Sequence, residues 1–460
     1  MQHHRPSFAR PDSSNDRPRR SAAGTLARAA LPPLGAALLV VMVVLPQSAG
    51  CAGSEEELGV SGPTASAASS SGGPGSTSTN SSGSNGSGSG NGSGSGSNGS
   101  GSGSTSASSG GGEGGGGGQG GAGGGSEGTV LLLAGGAATT LAAEYHEGQA
   151  WSTDSLASAT THGPALAMLA NGTGVGVIRA TAGNGLLQYT TWSGGSWTQL
   201  TSVAALVTAR DTPAIVADGP TAHVVFHGDN YKHYYAAYQG AWSPTAEPVF
   251  GNGTPEQSFG PSPAAIGELG GNPVVAFAGD NHDLFDQTRT GGVWGASPGH
   301  GLGDILDLTP AIVSLTAGPS LMVVFVRKTD SALVWTTRTG MSWTAPAPIP
   351  GALASASPSL LALPSGEALV AFRGTDLKVY TSRFSGVSWS MTPVAVASPN
   401  YTIKSAPALA AGVGTAEAEL GFVDEASDAA YHARLVNLAW TAPTLVGGAG
   451  STFVAIASAP

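Results

Sequence analysis

Arginine, aspartate and aromatic side chains recur at short spacings through the C-terminal part of this 460-residue sequence. The fullest sets are Arg327, Asp330 and Trp335, and Arg373, Asp376 and Tyr380. An aromatic face can stack on the apolar face of a sugar ring while Arg and Asp in an adjacent turn bridge its hydroxyls, so these sets carry the chemistry of polyol binding. Sparser sets add Arg179, Trp192, Asp229, Tyr235 and Asp280, which makes Arg179, Trp192, Asp229, Tyr235, Asp280, Arg327, Trp335, Arg373, Asp376 and Tyr380 the candidate ligand residues. The competing reading is that the Asp and Arg residues satisfy turn backbone and solvate a rim. The histidines are scattered, with His223, His227 and His233 falling around one hairpin by chance, so neither a metal site nor a cofactor is expected.

The elements that must position these side chains come from an internal repeat. Trp151, Trp197, Trp242, Trp294, Trp343, Trp389 and Trp440 recur every 45 to 52 residues, each closing a copy of one pattern. The clearest copy begins at Ser357: a Pro-led strand, a Gly turn, an apolar strand, a polar turn, an aromatic-bearing strand and a second Gly turn before the Trp. The opening prolines are Pro164, Pro213, Pro263, Pro310, Pro358 and Pro407. Short runs of Val, Ile, Phe and alternating Ala, bounded by Gly, Asp and Asn, are antiparallel hairpins and show no helical period. Units of this length with about four strands each are propeller blades. The sequence therefore predicts an all-β, seven-bladed β-propeller over residues 129–460, with a six-bladed ring or two sandwiches as alternatives. The first copy lacks its Pro-led strand, and the tail STFVAIASAP is a strand without a blade, so the C-terminal strand is expected to complete the first blade. The seven register tryptophans are expected to pack blade on blade, which leaves Trp192 and Trp335 outside the register for ligand.

Residues 1–50 read as an export signal: a basic segment, an apolar run from Leu34 to Leu45 and small residues before Cys51, the one cysteine. Cys51 after Ala-Gly resembles the lipidated cysteine of bacterial lipoproteins. That resemblance implies a lipid anchor in the cell envelope, with the outer membrane and cell surface as the expected location because Ala52 is not Asp. The Gly/Ser-rich stretch 51–128 cannot bury enough apolar surface to fold and reads as a flexible linker. The propeller segment carries 12 Lys and Arg against 22 Asp and Glu, so it offers no basic face and no nucleic-acid partner is expected.

Segments Phe372–Trp389 (FRGTDLKVYTSRFSGVSW) and Phe325–Trp343 (FVRKTDSALVWTTRTGMSW) resemble the repeat of bacterial seven-bladed propeller lectins that bind fucose and O-methylated sugars. The resemblance implies a surface-anchored carbohydrate-binding lipoprotein with multivalent sites between blades and fucosylated or O-methylated glycans as partners. By that pattern the Arg position holds Arg179, His227, Ala278, Arg327 or Val326, Arg373 and Val423, and the Asp position Asp229, Asp280, Asp330, Asp376 and Asp428. A protein-interaction scaffold is the alternative. The Gly-x-x-Trp endings are similar to the Asp-box of sialidases, but no copy carries an Asp two residues before its Gly, so an enzyme is not expected. A carboxylate pair for glycoside hydrolysis would have to come from turns that the ring brings together.

Overall fold

A computed structural model describes residues 128–203, 208–249, 262–295, 300–316, 320–364, 366–396, 401–448 and 450–459. The signal segment, Cys51 and the linker lie outside the described residues. All regular structure among the described residues is β-strand, arranged in seven antiparallel sheets of four or five strands. Each sheet is one blade of a propeller. The innermost strands are Ser451–Ser458, Ala165–Met168, Ala214–Asp218, Ala265–Leu269, Ala311–Leu315, Ser359–Ala362 and Ala408–Ala411, and each lies beside the next around a closed circle. Closure leaves few exposed sheet edges.

Blade 1 joins the two ends of the segment. Its inner strand is Ser451–Ser458, paired antiparallel with Thr129–Gly136 in the register Leu132 with Ile456 and Ala134 with Val454. The missing first strand is thus supplied by the C-terminus, as the sequence predicts. Both strands are apolar on both faces because neighbouring blades cover them, which is why they read as near-continuous runs. The second strands of blades 3 to 7 each bring one phenylalanine to the core, Phe226, Phe277, Phe325, Phe372 and Phe422, all essentially inaccessible, with Ile178 at the same place in blade 2.

Six of the seven register tryptophans reach across blade junctions to the same register position on the third strand of the preceding blade. Trp242 meets Tyr189 at 5.5 Å, Trp294 meets Tyr235 at 5.4 Å, Trp389 meets Trp335 at 6.3 Å and Trp151 meets His432 at 5.0 Å, ring to ring. Trp343 and Trp440 use Nε1 instead, donating to Asp286 Oδ1 at 3.2 Å and Thr381 Oγ1 at 3.1 Å. This corrects two expectations. Trp335 and Tyr235 are the sockets for the next blade's tryptophan, so their aromatic surface is spent on packing.

Candidate functional site

The turn between the second and third strands repeats with small variations. In blade 6 it is Gly374-Thr375-Asp376-Leu377-Lys378, closed by Gly374 N–H to Lys378 O at 2.8 Å. Leu377 is left-handed at φ 67°, and Asp376 Oδ1 accepts the Lys378 N–H at 3.3 Å, the local side-chain bond that makes Asp and Asn turn residues. Gly374 is required here, because a Cβ would lie 2.8 Å from the Tyr380 ring and 2.6 Å from Asp376 Oδ1.

Blades 3 and 4 share this turn with Asn230 and Asn281 in the role of Asp376, each accepting from the backbone two residues on. Asp229 and Asp280 therefore stand one residue earlier, at the position of Thr375, exposed on the rim. In blades 5 and 7 the turn is longer: Arg327 N–H reaches Ala332 O and Asp424 N–H reaches Ala429 O. The longer turn puts Val326 opposite Leu333, as Arg373 is opposite Val379, so Val326 holds the Arg register and Arg327 the turn. In blade 7 Asp428 takes the left-handed position at φ 52° and Ser427 takes the Asp place.

The arginines work on the crossing backbone or on their own turn. Arg179 Nε donates to Ala209 O at 2.6 Å and Arg373 Nε to Ile403 O at 2.8 Å, so both clamp the chain crossing to the next blade. Arg179 Nη1 also donates to His162 Nδ1 at 3.1 Å. Arg327 forms a two-point ion pair with Asp330, with Nε to Oδ1 at 2.9 Å and Nη2 to Oδ2 at 2.6 Å, which holds the Asp330 carboxyl down at about 2. Arg327 is thus engaged by Asp330 and Trp335 by Phe384 and Trp389, which separates the pair that the sequence suggests. Trp192 is buried between blades 1 and 2, donating Nε1–H to Glu144 Oε2.

Two of the ten candidates, Asp376 and Tyr380, line an open hollow of about 270 Å³ at the junction of blades 5 and 6, together with Gly351, Leu353, Phe372, Gly374, Thr375, Thr392 and Pro393. Tyr380 stacks on Phe372 at 5.8 Å and 24°, and its hydroxyl donates to Asp376 Oδ2 at 2.8 Å. That bond raises the Tyr380 pKa above the ordinary phenol value, with desolvation adding to it. Lys378 Nζ stands 3.8 Å from Asp376 Oδ2. Leu353 comes from the outer strand Ala347–Leu353 of blade 5 and remains 46% exposed at the opening. Gly351, at φ 68°, brings that strand close to blade 6: a Cβ there would lie 3.3 Å from Pro393 Cδ. The hollow thus offers an aromatic and aliphatic wall, one carboxylate and two threonines. Leu353, Thr392 and Pro393 had no sequence signal, because Leu353 ends the outer strand of blade 5 and Thr392 and Pro393 lie in the bend before the outer strand of blade 6, outside the repeated motif.

A second hollow of about 190 Å³ lies between blades 4 and 5, lined in part by Asp286, His300, Arg338 and Trp343. Its charges are committed to one another: the carboxylate of buried Asp286 accepts from Arg338, His300 and Trp343, and Arg338 also donates to Gly340 O and Thr288 Oγ1. The hairpin histidines have separate partners. His223 Nδ1 pairs with Tyr235 Oη at 2.6 Å and His227 Nδ1 with Asp211 Oδ2 at 2.7 Å. Among the described residues no group of three or more His, Cys, Asp or Glu is arranged to hold a metal ion.

No family model and no curated protein matches the chain. Solved structures similar to it include AofleA from Arthrobotrys oligospora, at 14% identity and a TM-score of 0.45, covering 64% of this chain and 88% of that one. A fucose-specific lectin from Aleuria aurantia aligns at 14% identity and a TM-score of 0.42, covering 60% and 92%. A protein of unknown function from Dyadobacter fermentans aligns at 11% identity and a TM-score of 0.40, covering 57% and 90%. The Aleuria lectin is described as a six-bladed propeller, one blade fewer than this chain.

Proposed function

We propose that this propeller binds carbohydrate without turning it over, in the hollow between blades 5 and 6. The observation that carries the reading is the hollow's composition. Tyr380, Leu353 and Pro393 supply apolar surface for the C–H face of a sugar, with Phe372 backing the Tyr380 ring, and Asp376 with the Tyr380 hydroxyl supplies acceptor and donor for its hydroxyls. Its volume lies just under the roughly 300–1,000 Å³ of drug-sized pockets, a size for about one sugar residue. With a carboxylate at the rim, the site favours neutral sugars over sialic or uronic acids. The repeat's resemblance to propeller lectins makes fucosylated and O-methylated glycans the ligands to try first. Lipidated Cys51 and the Gly/Ser linker would hold the domain off the outer membrane, at the cell surface.

A second reading is a protein-interaction scaffold. Met341, Val387 and Leu438 occupy equivalent turns of blades 5, 6 and 7, just ahead of the register tryptophans, and are 81%, 84% and 68% exposed. Side chains of this kind on successive blades suit a protein surface. A glycan array probed with the full-length protein decides between the two. Binding to neutral fucosylated or methylated glycans is expected, and no binding to any neutral glycan at high valency refutes the carbohydrate reading.

A further inference from the structure

We propose that one end of the propeller is a landing face for a zwitterionic lipid surface, seated by the apolar turns of blades 4 to 7; this rests on the lipid anchor read at Cys51. Those turns join the third strand of each blade to the fourth. Val293, 56% exposed, stands with Met341, Val387 and Leu438 in or beside the turns of four successive blades, while blades 1 to 3 carry Gly148-Gln149, Gly194-Gly195 and Gly240-Ala241 there. Leu438 is the most telling of the four. It belongs to the two-residue hairpin turn Asn437-Leu438 and sits at φ 64°, a left-handed place that suits Gly or Asn and strains a bulky side chain. An exposed leucine that neither packs nor suits its backbone points to a contact outside the domain.

Lipid is favoured over a protein partner by where the chain enters the domain. Thr129 pairs with His146, the last residue of the third strand Thr140–His146 in blade 1, and its Oγ1 lies 3.1 Å from His146 Nδ1. Gly128 sits against the inner hairpin turn of blade 7, where an added Cβ would strike Val413. A tether from Cys51 therefore arrives at the end of the ring that carries the apolar tips. The antiparallel order puts the turns between second and third strands, 374–378 among them, at the opposite end, so a domain seated this way holds the hollow of blades 5 and 6 away from the lipid. Charge at the landing end is neutralised locally. Arg383 pairs with Glu367 and Glu417, and Arg434 with Glu147 and Glu419. Paired charges cost less to bring beside hydrocarbon than single ones, whereas the domain's 12 Lys and Arg against 22 Asp and Glu repel an anionic leaflet. Zwitterionic lipid, whose headgroups carry no net charge, is therefore the surface that fits. With so few side chains the contact is reversible: the linker sets the domain's range, and the turns set the face that lands.

The chain's methionines supply the readout. Met341 is one of the tips, and Met391, equally exposed at 81%, lies on the circumference, its carbonyl beside Gly351 of the blade 5 outer strand. Full-length protein is coupled through Cys51, its one cysteine, to maleimide-bearing lipid in phosphatidylcholine vesicles and treated with hydrogen peroxide, and methionine sulfoxide is followed by mass spectrometry. Coupling supplies the anchor whether or not cells lipidate Cys51, so docking and lipidation fail separately. On vesicles Met341 should oxidise at least about fivefold more slowly than in free protein, with Met391 within about twofold of its free rate. Val387→Asp with Leu438→Asp changes only exposed turns, and Asp is tolerated at positive φ, so this double variant should return Met341 to its free rate. Equal Met341 rates on and off the vesicles overturn the inference. So does protection of Met341 in uncoupled protein as its concentration rises, which assigns the turns to a second copy of the chain, and so does protection that survives the double variant.

Discussion

Replacing Ile456 by alanine tests whether the C-terminal strand closes the ring. Ile456 is fully buried and lies opposite Leu132 in blade 1, while its other side packs against blade 7, where a Cβ added to Gly421 would sit 3.7 Å from the Ile456 Cβ. Its cluster includes Val130, Leu132, Val423, Val446 and Val454, drawn from both blades. The substitution removes three carbons, a transfer loss of about 2.4 kcal/mol at about 0.8 kcal/mol for each. The surrounding strands are fixed by ladders on both sides, so the site collapses little, and a residual cavity of about 50 Å³ adds about 1 kcal/mol. The expected destabilisation is about 3–4 kcal/mol, read from urea unfolding followed by tryptophan fluorescence. Leu445→Ala, at a site 58% exposed on an outer strand, is the control and is expected within about 0.5 kcal/mol of wild type. A loss below about 1 kcal/mol for Ile456→Ala would show that the tail does not form the inner strand of blade 1.

Acid should weaken the propeller through His223, whose pKa burial lowers to about 4 from the ordinary 6.5. The unfolded chain then binds the proton first, so stability is full above about pH 6.5 and declines as pH falls toward 4, by about 2–3 kcal/mol for this group. His223→Gln should flatten that part of the stability–pH curve, and an unchanged slope would refute the assignment. At the other end of the chain, a palmitate analogue fed to cells should label the protein, and Cys51→Ala should release it or accumulate precursor. Equal labelling of the variant would rule out lipidation at Cys51.

The fold was legible because a propeller writes itself as a period: seven tryptophans, their glycine turns and a strand-patterned tail suffice to count blades and close the ring. The candidate site was legible in part. Asp376 and Tyr380 fall within one short motif, four residues apart, and the turn brings them into one hydrogen bond. What pairwise motif reading could not supply was turn length. One extra residue in the blade 5 turn moves Arg327 off the strand register, and a one-residue shift in blades 3 and 4 gives the Asp role to Asn230 and Asn281. Trp335 misled for a related reason: lying outside the tryptophan register suggested a ligand contact, whereas the position is the socket that receives Trp389. Leu353 was invisible because it enters the junction from the outer strand of blade 5, and Pro393 because it lies in the bend before the outer strand of blade 6, neither of which carries a repeat signal.

The central claim is that carbohydrate binds against Asp376 and Tyr380, while Arg373 serves the backbone of the next junction. Affinities of full-length wild type, Asp376→Ala, Tyr380→Ala and Arg373→Ala for methyl α-L-fucoside test it together. Losing a hydrogen bond to a charged group costs about 1.5–3 kcal/mol, so Asp376→Ala should weaken binding at least about tenfold. Tyr380→Ala should abolish binding, and Arg373→Ala should leave the affinity within about twofold while lowering thermal stability. Loss of binding in Arg373→Ala, with Asp376→Ala and Tyr380→Ala unaffected, would contradict the account.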